Sequence, residues 1–115
     1  MASAVSEPVS SIRNLGPAME AAFARVGIHD AGALRDLGTD AAYARLLADG
    51  SRPHFIAYYV IEMGLQGRPW NDCKGEEKAA LRIRFDALVA AARARRDPDR
   101  EAFEAMMDAI GVVEG

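Results

Sequence analysis

Residues 54–67, HFIAYYVIEMGLQG, are apolar on nearly every side of a helix. A helix with no polar face must be enclosed by other helices. That segment therefore predicts the hub of a helical core, and the 115-residue chain, half of it apolar, has material for one such core and not two. The flanking segments supply neighbours. Met19, Ala22, Phe23 and Val26 recur at helical spacing before Gly27, which predicts a helix over 17–26 with Pro17 as its first residue. Asp30 has the chemistry to cap AGALRDL, a short helix that turns Leu34 and Leu37 inward and stops at Gly38. Thr39 or Asp40 then caps a third piece, AAYARLLADG, which buries Tyr43, Leu46 and Leu47 and ends at Gly50. The longest helix is expected from Glu76 to about Arg96, with Leu81, Phe85, Leu88 and Ala92 on one stripe. After Asp97 and Pro98, the residues Phe103, Met106, Met107 and Ile110 give a last helix its apolar face, for which core use is favoured over a partner groove or a dimer seam. Strand-like alternation is absent. The expected fold is all-α, a compact bundle of six to seven short helices.

The net charge of -3 gives no overall attraction to a polyanion, so any nucleic-acid contact requires a local basic patch. The four arginines between 93 and 100 are interleaved with Asp97 and Asp99 and followed by Glu101 and Glu104, the pattern of a solvated helix junction. Cys73 is the single cysteine, which rules out an intrachain disulfide and suits a reducing compartment. The start MASAVSEPVSS has neither the basic nor the apolar portion of a signal peptide, and no apolar run reaches membrane-spanning length. A cytoplasmic location without membrane contact is expected. His29, His54 and Cys73 lie 25 and 19 residues apart, outside any metal-ligand spacing, and no carboxylate cluster joins them. No catalytic residue, metal or cofactor is expected.

The turn in IRNLGPAMEAAFARVGI, residues 12–28, has two uses. Gly16 and Pro17 can join two helices as pure scaffold. The same step can present amides to a phosphate at a helix N-terminus, where the helix dipole favours an anion. On the second reading Arg13, Asn14, Gly16, Ala18, Met19 and Arg25 form the nucleic-acid-binding set, and Arg45 and Arg52 extend it if they share a side. Pro17 removes one donor, and Glu20 places a negative charge in the same helical turn, which favours scaffold. Trp70 likewise has a stacking use and a packing use, of which closing the core between two helices is favoured.

Ile12, Arg13, Asn14, Leu15 and Gly16 resemble the turn of a helix-hairpin-helix motif, with Asn14 at its first glycine; Asn is the next best residue at positive φ. NLGPAMEAAFARVGI, ALRDLGTDAAYARL and GLQGRPWNDCKGEEKAAL follow in an order and spacing that resemble the C-terminal domain of the bacterial TfoX/Sxy competence regulators, most specifically at Trp70-Asn71-Asp72. The resemblance implies a stand-alone helical module over residues 10–85, preceded by a flexible 1–9 and followed by a helical extension, 86–115, packed on the same domain. It implies a non-catalytic regulatory module associated with DNA uptake and transcriptional control. The expected partner is DNA, held through its phosphates, or alternatively a protein, with the hairpin as scaffold.

Overall fold

A computed structural model of the chain describes residues 7–96. Among these residues there are four helices and two 3₁₀ turns, and no strand. Helix α1 spans Pro17–Arg25, α2 Ala31–Ala48, α3 Phe55–Leu65 and α4 Gly75–Arg96; the 3₁₀ turns are Val9–Ser11 and Trp70–Asp72. The fold is all-α as expected, but the expected count of six to seven helices is too high. The helices expected on either side of Gly38 are both held in α2: Gly38 has φ 82° and ψ 168°, which kinks the axis without opening a loop. The glycine does break the helical dihedrals, as its freedom at positive φ allows. The helix expected after Pro98 lies outside the described residues.

Local chemistry explains most helix ends. Asp30 caps α2, its side-chain oxygen accepting from the Ala33 amide at 2.7 Å. Pro17 occupies the first position of α1, and Gly27 follows that helix at φ 86°. Thr39 caps nothing: it is buried within α2 and its hydroxyl oxygen has no hydrogen-bond partner.

Helix α3 lies at the centre, as its composition requires. Tyr58, Ile61 and Met63 are fully buried, and α3 contacts both α2 and α4. The contact is largely aromatic. Phe85 of α4 stacks at tilted angles against Tyr43, Phe55 and Tyr58, with ring centroids 5.4–5.9 Å apart. Tyr43 and Tyr58 meet edge to face at 5.5 Å. Such pairs each add about 0.5–1.5 kcal/mol beyond the area they bury. The Tyr43 hydroxyl also fixes the loop before α3, accepting from the His54 amide at 2.9 Å and donating to the His54 carbonyl at 3.2 Å. The N-terminal segment closes the other end of the core: Val9 is fully buried, and the Glu7 carbonyl accepts from the Ala31 amide at 2.7 Å.

One polar cluster clamps α2, α3 and α4 together at the surface. Arg84 donates to Asp40 at 2.7 and 3.2 Å and reaches Glu62 at 3.5 Å, while the Tyr58 hydroxyl donates to Asp40 at 2.5 Å. Burial works to raise the Asp40 pKa, but the hydrogen bonds from Arg84 and Tyr58 outweigh it and hold the carboxyl below its ordinary range. Burial and the Asp40 carboxylate push the Tyr58 phenol well above its ordinary value, so it remains a donor.

A lowered carboxylate pKa adds stability that is present above its unfolded value, near pH 4, and is lost as pH falls through the folded value. Acid unfolding monitored by circular dichroism below pH 5 should therefore be less steep in Asp40→Asn than in the parent. An equal slope in both would show that the clamp does not couple to protons. A second expectation concerns Gly64 of α3, where an added Cβ would collide with the Arg13 backbone carbonyl and press on the Ile12 side chain. Gly64→Ala should cost roughly 3 kcal/mol in chemical denaturation, the upper part of the range for overpacking a core, because a backbone carbonyl cannot rotate away.

Candidate functional site

The turn that leads into α1 is held on three sides. Ile12 and Leu15 are buried, while the Arg13 carbonyl rests on Gly64 of α3 in the space that a side chain would fill. Asn14, between them, has φ 73°. The left-handed conformation is therefore required at Asn14 and not at Gly16, whose φ of -122° and ψ of -170° are open to any residue. The Asn14 amide group is spent within the fold: its nitrogen donates to the Arg68 carbonyl at 2.9 Å and to the Val60 carbonyl at 3.4 Å, and its oxygen accepts from the Trp70 amide at 3.2 Å.

The residues expected to grip phosphate are only partly brought together. At the start of α1, Gly16 is the N-cap and no side chain caps the helix, so Ala18 and Met19 present their amides without a side-chain acceptor. Arg13, three positions before Gly16, is exposed, and Glu20 lies in the first turn. Arg25 is at the other end of the helix, about 12 Å away along its axis. There it pairs with Asp49 at 3.4 Å. Arg45 is at that same far end, donating to the Val26 carbonyl at 3.2 Å and so satisfying a group just past α1. Arg52 is exposed in the loop before α3. The hairpin thus carries one nearby arginine, Arg13, rather than a patch built from Arg13, Arg25 and Arg45.

The loop that receives Asn14 is itself cross-braced. Arg68 makes a two-pronged ion pair with Glu77 of α4 through Nη1 and Nη2 at 2.8 and 2.9 Å, while Nη1 also donates to the Gln66 side-chain oxygen at 2.7 Å and Nε donates to Asp72 at 3.2 Å. Planar, paired geometry of this kind is the strongest form of a surface ion pair. Trp70 does not close the core as expected: half of its surface is exposed, and it sits in the second 3₁₀ turn with its backbone, not its ring, anchored on Asn14. Cys73 is buried, and burial together with Glu77 pushes its thiol pKa up, the opposite of what a nucleophile needs. His54 occupies the N-cap position of α3 and His29 precedes the cap of α2. Among the described residues no group of three or more His, Cys, Asp or Glu is placed to hold a metal ion, and no helix is long and apolar enough to cross a membrane.

The described residues form an all-helical module whose N-terminal turn is pinned through Asn14 to the inter-helix loop at Trp70. The sequence profile of the TfoX C-terminal domain matches residues 6–85, and the chain belongs to that family. No curated protein and no solved structure matched it. The profile ends within α4, one turn before Val89 and Ala92 complete that helix's buried stripe.

The dual demand on Asn14 can be separated. Asn14→Gly keeps the positive φ but loses the three bonds, and should cost about 1–2 kcal/mol in chemical denaturation. Asn14→Ala adds left-handed strain of about 1 kcal/mol to that loss. Equal stability of the alanine and glycine variants would show that the backbone conformation is not the constraint.

Proposed function

We propose that this chain is a non-catalytic, TfoX-like regulatory module that acts by docking on another protein, with the hairpin serving as scaffold. The observation that carries this reading is the Asn14 side chain. Both ends of its amide are consumed by the Arg68 and Trp70 backbone, so the most specific residue of the turn faces inward on its own fold. The bond at the Trp70 amide fixes the base of a half-exposed indole, and an exposed Trp held by a rigid backbone is the type of side chain that anchors protein interfaces. The non-catalytic reading rests on the raised thiol of Cys73 and on the separation of the histidines from it. A regulatory role is the one implied by the family.

A second reading has its own support. The amides of Ala18 and Met19 have no side-chain cap, Arg13 is exposed three positions before Gly16, and Gly16 has open space around the position of a Cβ. Phosphate contact through that end is the nucleic-acid reading of the hairpin.

Titration of duplex and single-stranded DNA against salt distinguishes the two. If the hairpin is scaffold, affinity stays weaker than millimolar at low salt, and Gly16→Ser raises stability by a few tenths of a kcal/mol by supplying a capping oxygen. If it grips phosphate, Arg13→Glu lowers the salt slope by about 1, and Gly16→Ser weakens binding because its hydroxyl takes the amides the phosphate would use. The second pattern would overturn the adaptor reading.

A further inference from the structure

Helix α4 is apolar on two opposite faces. One, carrying Leu81, Phe85, Val89 and Ala92, is buried against α2 and α3. The other is turned to solvent and consists of Ala80, Ile83, Ala87, Ala90 and Ala94, all exposed, with Ile83 at 72 % the most exposed large apolar side chain among the described residues. Alanine on an outer face is explained by helix propensity alone. Ile83 is not, because a β-branched side chain lowers that propensity and gains nothing in water. The five residues are three and four apart in alternation, the heptad spacing of a seam that meets a second helix. From Ala80 to Ala94 the seam runs about 21 Å along α4.

The charges beside the seam describe its partner. Asp86 pairs with Arg82 at 3.1 Å and Arg84 with Asp40 at 2.7 Å, so the middle of the face is neutralised within the chain. Its two ends are not. Glu76, one turn before Ala80 and in register with the seam, and Arg93 and Arg95, which flank Ala94, are exposed and make no ion pair among the described residues. The face therefore starts acidic and ends basic. Laid antiparallel on its own copy, it brings opposite charges and opposite helix dipoles together at both ends.

We propose that this face is the seam of a homodimer in which α4 packs antiparallel on the α4 of a second copy. With Ala80 opposite the partner's Ala90, Ile83 falls opposite the partner's Ala87, and Glu76 opposite the partner's Ala94, between two arginines. Each isoleucine then lies on small side chains, and the alanines let the two backbones approach closely. The occupant is a second copy because the face complements itself, in side-chain size at Ile83 and Ala87 and in charge at its ends. A contact between two single helices is small, which places the association in the weak, transient class.

Sedimentation velocity of the full chain from about 10 μM to about 1 mM spans the range of such an interface. The sedimentation coefficient should rise towards that of a dimer. Ile83→Glu changes an exposed side chain, so it should leave the circular dichroism unaltered and hold the chain monomeric throughout. Glu76→Arg should weaken association about tenfold, and adding Arg93→Glu and Arg95→Glu to it should restore association. Direction is read by oxidising new thiols in a Cys73→Ala background: Ala80→Cys chains mixed with Ala90→Cys chains should form a disulfide faster than either alone. A chain that stays monomeric to about 1 mM would leave the face to another protein or to the chain itself and overturn the proposal. So would a dimer that survives Ile83→Glu, or one in which Ala80→Cys links fastest to its own copy, as a parallel pair would.

Discussion

The joint between Asn14 and the 68–70 backbone is the constraint on which the other parts of the fold depend. It works because two requirements coincide at one residue. The turn passes through a left-handed conformation between the buried Ile12 and Leu15, and the Arg68 carbonyl and the Trp70 amide find their partner there. Asn tolerates the conformation and supplies donors and an acceptor from one short side chain. Gly64 then lets the turn lie directly against α3. Through Arg68 and its pairing with Glu77 the same joint is tied to the first turn of α4, so the start of the domain and its longest helix share one polar network. On the far side of α3, Arg84 performs the corresponding task for α2 and α4, with Asp40 and Glu62 as its acceptors.

Much of this was legible in the sequence. The helical spacing around Phe23, the enclosure of 54–67, the Asp30 cap and the long stripe on α4 all follow from periodicity and cap chemistry, because those are local properties. The readings that failed were ones in which a local signal met a tertiary demand. Gly38 does break helical dihedrals, but nothing in the sequence says whether such a break opens a loop or leaves a kink. The Gly-Pro step drew attention to Gly16 because glycine is the usual residue at positive φ. The conformation fell on Asn14 instead, as the partners waiting for its amide come from residues more than forty positions away. Trp70 was expected inside because a large indole in a short loop has much to gain from burial. The structure anchors that loop by backbone bonds and ion pairs, and leaves the ring at the surface.

The candidate site was less legible than the fold for a related reason. Sequence proximity suggested that Arg25 would reinforce Arg13, yet a nine-residue helix separates its ends by two and a half turns, and Arg25 and Arg45 serve the C-terminal end. A signal existed for that outcome. Cations are favoured where unsatisfied carbonyls accumulate, and Arg25 stands in the last turn of α1.

The bonds of Asn14 span 46 to 56 positions of chain, and the Glu7 carbonyl reaches forward to Ala31. The Asn14 bonds cannot form until α3 has docked and the 66–73 loop has closed, so loop-closure entropy must be met before these contacts return anything. The turn therefore acts as a latch that closes after the α2, α3 and α4 assembly rather than as its nucleus. A weakened latch would show itself mainly in how fast the folded domain opens, and little in how fast it forms.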